Sequence, residues 1–147
     1  MKNVKFLLSA ALVFLASAAL AQDFSGPQYA KWGATPEERE QNILNSNFLK
    51  ESCDNRDYDA AAHYLKGLID KIPDAAESIY QRGAVVYKNK INRAKSVAEK
   101  NMFIDSLMLM YDMRAQYFGD NVKPGKTAFI LDQKAREFLR YKPNDRK

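Results

Sequence analysis

Residues 42–75, NILNSNFLKESCDNRDYDAAAHYLKGLIDKIPDA, decide how the rest of this chain is read. Ile43, Leu44, Phe48 and Leu49 recur at helical spacing and share one face. Asp54-Asn55-Arg56 has turn composition. Tyr58, Ala61, Ala62, Leu65, Leu68, Ile69 and Ile72 then form an amphipathic stripe at steps of three and one, and Pro73 stops it. The stretch is therefore a helix, a short turn and a second helix, together 34 residues long. No run anywhere alternates with period two, so a sheet is not expected and the fold class is all-α.

Working towards the N-terminus, the first helix starts at a defined point. Thr35 is an N-cap, Pro36 occupies the first helical position and Glu38 closes a capping box. Residues 22–35 contain Gly26, Pro27 and Gly33 and no helical period, so they read as an extended arm. Phe24, Tyr29 and Trp32 are costly to leave in water, which predicts that this arm docks on the first helices. Towards the C-terminus, Asp74 and Glu77 resemble a second capping box, opening a third helix through Ile79, Gly83, Val86, Tyr87 and Ile91. A break is expected near 92–95, because Ser96 and Glu99 make a third capping box and Ser is better placed at a cap than inside a helix. The fourth helix runs to about Phe118, where Gly119 stops it. After a loop, the fifth spans roughly Lys126 to Tyr141, and residues 142–147 form a tail. Five helices joined by short turns favour antiparallel neighbours.

The first 21 residues read as an address. Lys2 and Lys5 precede an apolar run, Phe6 to Ala16, and Ala19-Leu20-Ala21 is a small-x-small cleavage site. The run is shorter than a spanning helix needs. The expected mature chain is Gln22–Lys147, exported to the periplasm or secreted, with no membrane segment left after cleavage. Its charge is uneven. Gln22 to Glu77 holds six bases and eleven acids, whereas Ser78 to Lys147 holds fifteen bases and seven acids. In an exported protein the basic half points to acidic partners, envelope polyanions or a simple solvated face rather than nucleic acid. The dipole between the halves could also orient one copy on another. One Cys and one His exclude a disulfide within the chain and a zinc site built from those residues.

The 34-residue unit has the period of the tetratricopeptide repeat. Ala61 falls on the small position at the helix crossing, Leu65 and Leu68 on the later packing positions, and Pro73 on the terminal proline. A second unit beginning at Ala76 puts Gly83 on a small position of its first helix. Leu49 departs from the repeat's preference for Gly or Ala, its usual Trp is missing, and the connection between the third and fourth helices is expected to be longer than the repeat allows. A closed five-helix bundle remains the alternative. The segments FSGPQYAKWGATPEEREQNILNSNFLKESCDNRDYDAAAHYL and FIDSLMLMYDMRAQYFGD resemble exported tetratricopeptide-repeat (TPR) proteins of Bacteroidota, and the resemblance extends over about Phe24 to Tyr141. Members of that group look longer and continue with further helical pairs. Here the fifth helix has no pair, so either the chain is a truncated version, or the helix packs back on the fourth, or it pairs with another copy.

The resemblance implies a short TPR-like α-solenoid that binds protein or peptide partners in a groove lined by first helices. The repeat phase places Ser46, Lys50, Cys53 and Asp54 on that surface from the first unit, and Glu77, Tyr80, Ala84, Tyr87 and Lys88 from the second. The charges of a carboxylate clamp are not met, because Ser46 and Lys50 stand where Lys and Asn are needed. Lys88, Lys90, Arg93, Lys95 and Lys100 form a basic stretch opposed only by Glu99, a candidate patch for an acidic partner.

No enzyme, cofactor or metal site is expected. Cys53 and His63 could meet across antiparallel helices, yet nothing Gly-rich beside them would make an oxyanion hole. Glu37, Glu38 and Glu40 suit a helix N-terminus. Met102, Met108, Met110 and Met113 read as core filling. The competing function is a compact bundle holding a small apolar ligand or heme between its helices.

Overall fold

The computed structural model describes residues 22–143. The leader reading of residues 1–21 and the end of the tail, 144–147, lie outside the described residues. Every regular element among the described residues is helical. A 3-10 turn, Pro27–Trp32, precedes α1 (Pro36–Asp54), α2 (Tyr58–Lys71), α3 (Glu77–Arg93), α4 (Val97–Phe118) and α5 (Lys126–Tyr141).

Local chemistry sets most of these limits. Thr35 Oγ1 accepts from the Glu38 N–H at 3.2 Å, while Glu38 Oε2 accepts from the Ala34 N–H at 2.8 Å. The same exchange opens α4: Ser96 Oγ accepts from Glu99 N–H at 3.1 Å, and Glu99 Oε2 accepts from Lys95 N–H at 2.7 Å. α1 ends in a Schellman motif, with the Asp57 N–H donating to the Ser52 carbonyl and the Arg56 N–H to the Cys53 carbonyl. Arg56 takes the left-handed conformation there, at φ 60°, where glycine is usual. Asp120 and Thr127 close the α4–α5 loop by a reciprocal pair of bonds, each 2.9 Å.

Two expectations need correction. The α3–α4 connection is Ala94 to Ser96, as short as Asn55 to Asp57 between α1 and α2; the extra length of the second unit lies in its helices, α4 having 22 residues against 14 in α2. Glu77 does not cap α3. Ala76 occupies the N-cap with no side-chain bond, and the Glu77 carboxylate is engaged elsewhere.

Each helix packs on the next in the chain, and α1 also lies against α3. One apolar cluster joins α1 to α4 through Leu49, Leu65, Leu68, Ile79, Tyr80, Val86 and Met110; another joins α3, α4 and α5 through Ile91, Ile104, Leu107, Tyr111 and Ile130. Gly83 sits where the first cluster is tightest. A Cβ there would lie 2.6 Å from Met110 Sδ and 3.1 Å from Leu65 Cδ2. Met108 and Met110 are buried and Met113 is half-buried, as core filling requires, but Met102 is exposed. The N-terminal arm is docked: Trp32 packs on the first cluster, Asn42 donates to its carbonyl at 2.8 Å, and the Arg39 guanidinium donates to the carbonyls of Phe24, Ser25 and Gly33.

Two substitutions test this description. Gly83→Val should destabilise by about 2–3 kcal/mol through overpacking, and Gly83→Ala by less, since helix propensity returns about 1 kcal/mol; urea unfolding reads both. Arg56→Gly should stabilise by about 0.5–1 kcal/mol in the same assay by removing a left-handed side chain.

Candidate functional site

α3 and α5 lie side by side, each packed on α4. Their backbones stay apart, and long charged side chains bridge them at both ends. At one end the Glu77 carboxylate accepts from Arg114 Nε of α4 at 2.9 Å and from Lys126 Nζ of α5 at 2.6 Å. At the other, Lys88 Nζ meets Glu137 Oε1 at 2.5 Å. Residues 77 and 88 are as far apart in sequence as 126 and 137, so the two helices run parallel in register.

Between the bridges lies a hollow of about 260 Å³. One wall is Tyr80, Gln81, Ala84, Val85 and Lys88; Met110, Tyr111 and Arg114 form the floor, and Gln133 closes the α5 side. Arg114 Nη1 donates to Gln133 Oε1 at 2.9 Å, tying floor to wall. The second Glu137 oxygen is buried without a hydrogen bond, with the Arg140 guanidinium 3.7 Å away.

The charge states follow from this packing. Burial by itself would raise the Glu77 carboxyl, but the bonds and charges of Lys126 and Arg114 outweigh it and hold Glu77 below the ordinary carboxylate range. Burial would likewise lower Lys88, yet Glu137 and Tyr111 keep its ammonium above its usual value. Burial pushes the Tyr80 phenol far up, and its hydroxyl donates to the Pro73 carbonyl at 2.6 Å.

Of the nine groove residues taken from the repeat phase, Glu77, Tyr80, Ala84 and Lys88 border this cleft. Tyr80 is only 1% exposed, so it serves as a wall rather than a free contact. Tyr87 turns elsewhere, its ring 6.5 Å from that of Phe103. Ser46 is buried, not surface-lining. Lys50 and Asp54 pair with each other at 2.7 Å along exposed α1. Cys53 packs against the first cluster, and burial pushes its thiol up, with Arg82 opposing. His63 is exposed on α2.

Sequence reasoning missed Arg114, Lys126, Gln133 and Glu137. One signal could have found two of them. An acid and a base eleven residues apart on the third helix face a base and an acid eleven apart on the fifth.

The basic stretch does not form one patch. Lys88 faces α5, whereas Lys90 pairs with Asp59 of α2 and lies 5.2 Å from the Phe103 ring centre. Arg93 stacks on Tyr58 at 4.9 Å, and Lys95 and Lys100 are exposed. Asp57, Asp59 and Glu99 share the hollow of about 280 Å³ beside these residues, so its charge is mixed rather than opposed by Glu99 alone. A larger hollow of about 520 Å³ lies between Gly33, Glu38 and Asn42 on one side and Lys71 and Ile72 on the other. These hollows are open and edged by charged side chains, a poor setting for heme or a small apolar ligand.

Comparison with protein-family models, curated proteins and solved structures found no match. Among the described residues, no helix is long and apolar enough to cross a membrane, and no group of three His, Cys, Asp or Glu side chains could hold a metal ion.

A carboxyl held below its ordinary value contributes stability above that value, and the contribution is lost as pH falls through the folded pKa. Glu77→Gln should therefore cost about 1–2 kcal/mol at pH 7. The gap from the parent should narrow once pH falls below about 4.3, the ordinary carboxylate pKa, and shrink further as the folded form protonates in its turn. Urea unfolding across this pH range measures the difference.

Proposed function

We propose that this chain is an exported, non-enzymatic scaffold that holds a peptide segment of a protein partner in the cleft between α3 and α5. The observation that carries the reading is the parallel α3–α5 pair, held in register by Glu77–Lys126 and Lys88–Glu137 across an open, polar hollow. Two helices braced apart over a third leave a trough that a chain can enter without reorganising the fold, which keeps the ordering cost of binding low. Glutamines 81 and 133 supply amide groups for a peptide backbone, Val85 supplies an apolar contact, and the ion-paired Lys88 and Arg114 supply further N–H donors.

The helical pairs are read as a short TPR-like α-solenoid. The 34-residue spacing of the first unit, the small residues Ala61 and Gly83 in the core, and the packing of α1 on α3 as well as α2 support that arrangement. Export rests on the charge–apolar–small order of residues 2–21.

Each part has its own test. Peptides selected from a random library against residues 22–147 should lose at least tenfold in affinity on Val85→Asp, a change at a side chain 44% exposed and so harmless to the core. Undiminished binding by that variant, with binding lost on changes outside the cleft, would remove the trough from consideration. Intact mass of the product made from the full chain in a bacterial host should begin at Gln22 in the periplasmic fraction; a cytoplasmic product retaining residues 1–21 would refute export.

A further inference from the structure

The outward side of α5 carries the exposed side chains Phe129 and Leu139, at 56% and 46%, together with Ala128 and Ala135, while Leu131, 42% exposed, lies almost half a turn round the helix from Phe129. The register shared by α3 and α5 gives this face a meaning. Shifting α3 by the offset between Glu77 and Lys126 carries Ile79 to Ala128, Val86 to Ala135 and Gly83 to Asp132. Ile79, Gly83 and Val86 are buried in the first cluster region, and Gly83 is in close range of Met110 on α4. The corresponding positions of α5, Ala128, Asp132 and Ala135, are exposed, and no described helix covers them.

Charge decides which helix. At the register of Gly83 stands Asp132, 56% exposed and paired with Arg136 at 2.8 Å. An apolar helix laid there would bury this pair with no further partner, which costs free energy. A second copy of α5 meets the requirement. A two-fold axis beside residue 134, midway between 132 and 136, brings each Asp132 to the level of the partner's Arg136. Residue 134 is also midway between 129 and 139, so the same axis brings Phe129 level with the partner's Leu139. Ala135 then lies beside the axis, where its small side chain allows close approach. One operation satisfies the charges and the apolar contacts together, as an isologous interface demands.

We propose that the protein self-associates as an antiparallel dimer through α5, with reciprocal Asp132–Arg136 pairs across the two-fold axis. The trough between α3 and α5 lies on other faces of α5 and is left open, so this inference does not rest on the peptide-binding reading.

Sedimentation equilibrium of residues 22–147, which contain every described element, tests it. The parent should show a reversible monomer–dimer equilibrium. Leu139→Lys should shift it to monomer at least tenfold with the helical circular-dichroism signal unchanged. Asp132→Arg and Arg136→Asp should each dissociate the dimer by setting like charges opposite each other, and mixing these two variants should restore a dimer containing one of each. A parent that stays monomeric at 100 µM (roughly a hundredfold above a micromolar Kd) would overturn the proposal, as would a dimer indifferent to Leu139→Lys. A mixture of the two charge variants that fails to pair would also overturn it, including the case where another helix occupies this face.

Discussion

The missing side chain at position 83 is the constraint on which the arrangement turns. Met110 of α4 and Leu65 of α2 both reach the space a Cβ would occupy, so the three helices converge at one point on α3. That convergence lets Leu65, Leu68, Ile79, Val86 and Met110 share one cluster. Without it α3 would have to stand off from its neighbours, and dispersion contacts fall away quickly with such gaps. Convergence here also fixes the direction in which α4 leaves α3. From that direction follows the position of α5, which rests on α4 through Ile130, shares an apolar cluster with α3 and is bridged to it by charged arms.

Electrostatics complete what this packing begins. The uneven split of acids and bases along the chain looks like a dipole available to outside partners, but part of it is consumed internally. Lys90, Arg114 and Lys126 come from the basic half and engage Asp59 and Glu77 of the acidic half. Glu77 is the most heavily used of these, a single carboxylate joining α3, α4 and α5. Exposed pairs such as Lys66–Asp70 add little by comparison, because solvent screens them and long side chains must be ordered to make them.

What could be read in the sequence was what neighbouring residues decide among themselves. Thr35 with Glu38, and Ser96 with Glu99, are three apart, and both cap as that spacing requires. Asp74 and Glu77 have the same spacing, yet Glu77 turned to Arg114 and Lys126, 37 and 49 residues away, because two cations outcompete one backbone N–H. Helix periodicity identified Leu65, Leu68 and Val86 as core. It could not tell that Ser46 would be buried, since that depends on what lies opposite. The cleft was half legible for the same reason. Its α3 wall follows from helix phase, while Arg114, Gln133 and Glu137 depend on where two later helices come to rest.

The lengths of the two hairpins explain why the fifth helix matters so much here. α1 and α2 are joined by three residues, and so are α3 and α4, so neither turn can absorb a difference in span. The second hairpin is longer because α4 has 22 residues against the 14 of α2. α4 therefore outreaches its counterpart and needs cover of its own over Ile104, Leu107 and Tyr111. α5 supplies it with Ile130, Phe138 and Tyr141, spending one face on α4 and its flanking charges on α3. A helix committed on one side in this way presents Ala128, Asp132, Ala135 and Leu139 in a set order on its exposed side. A mobile terminal helix with the same residues would offer no such pattern, and would lose in ordering entropy what it gained from contact.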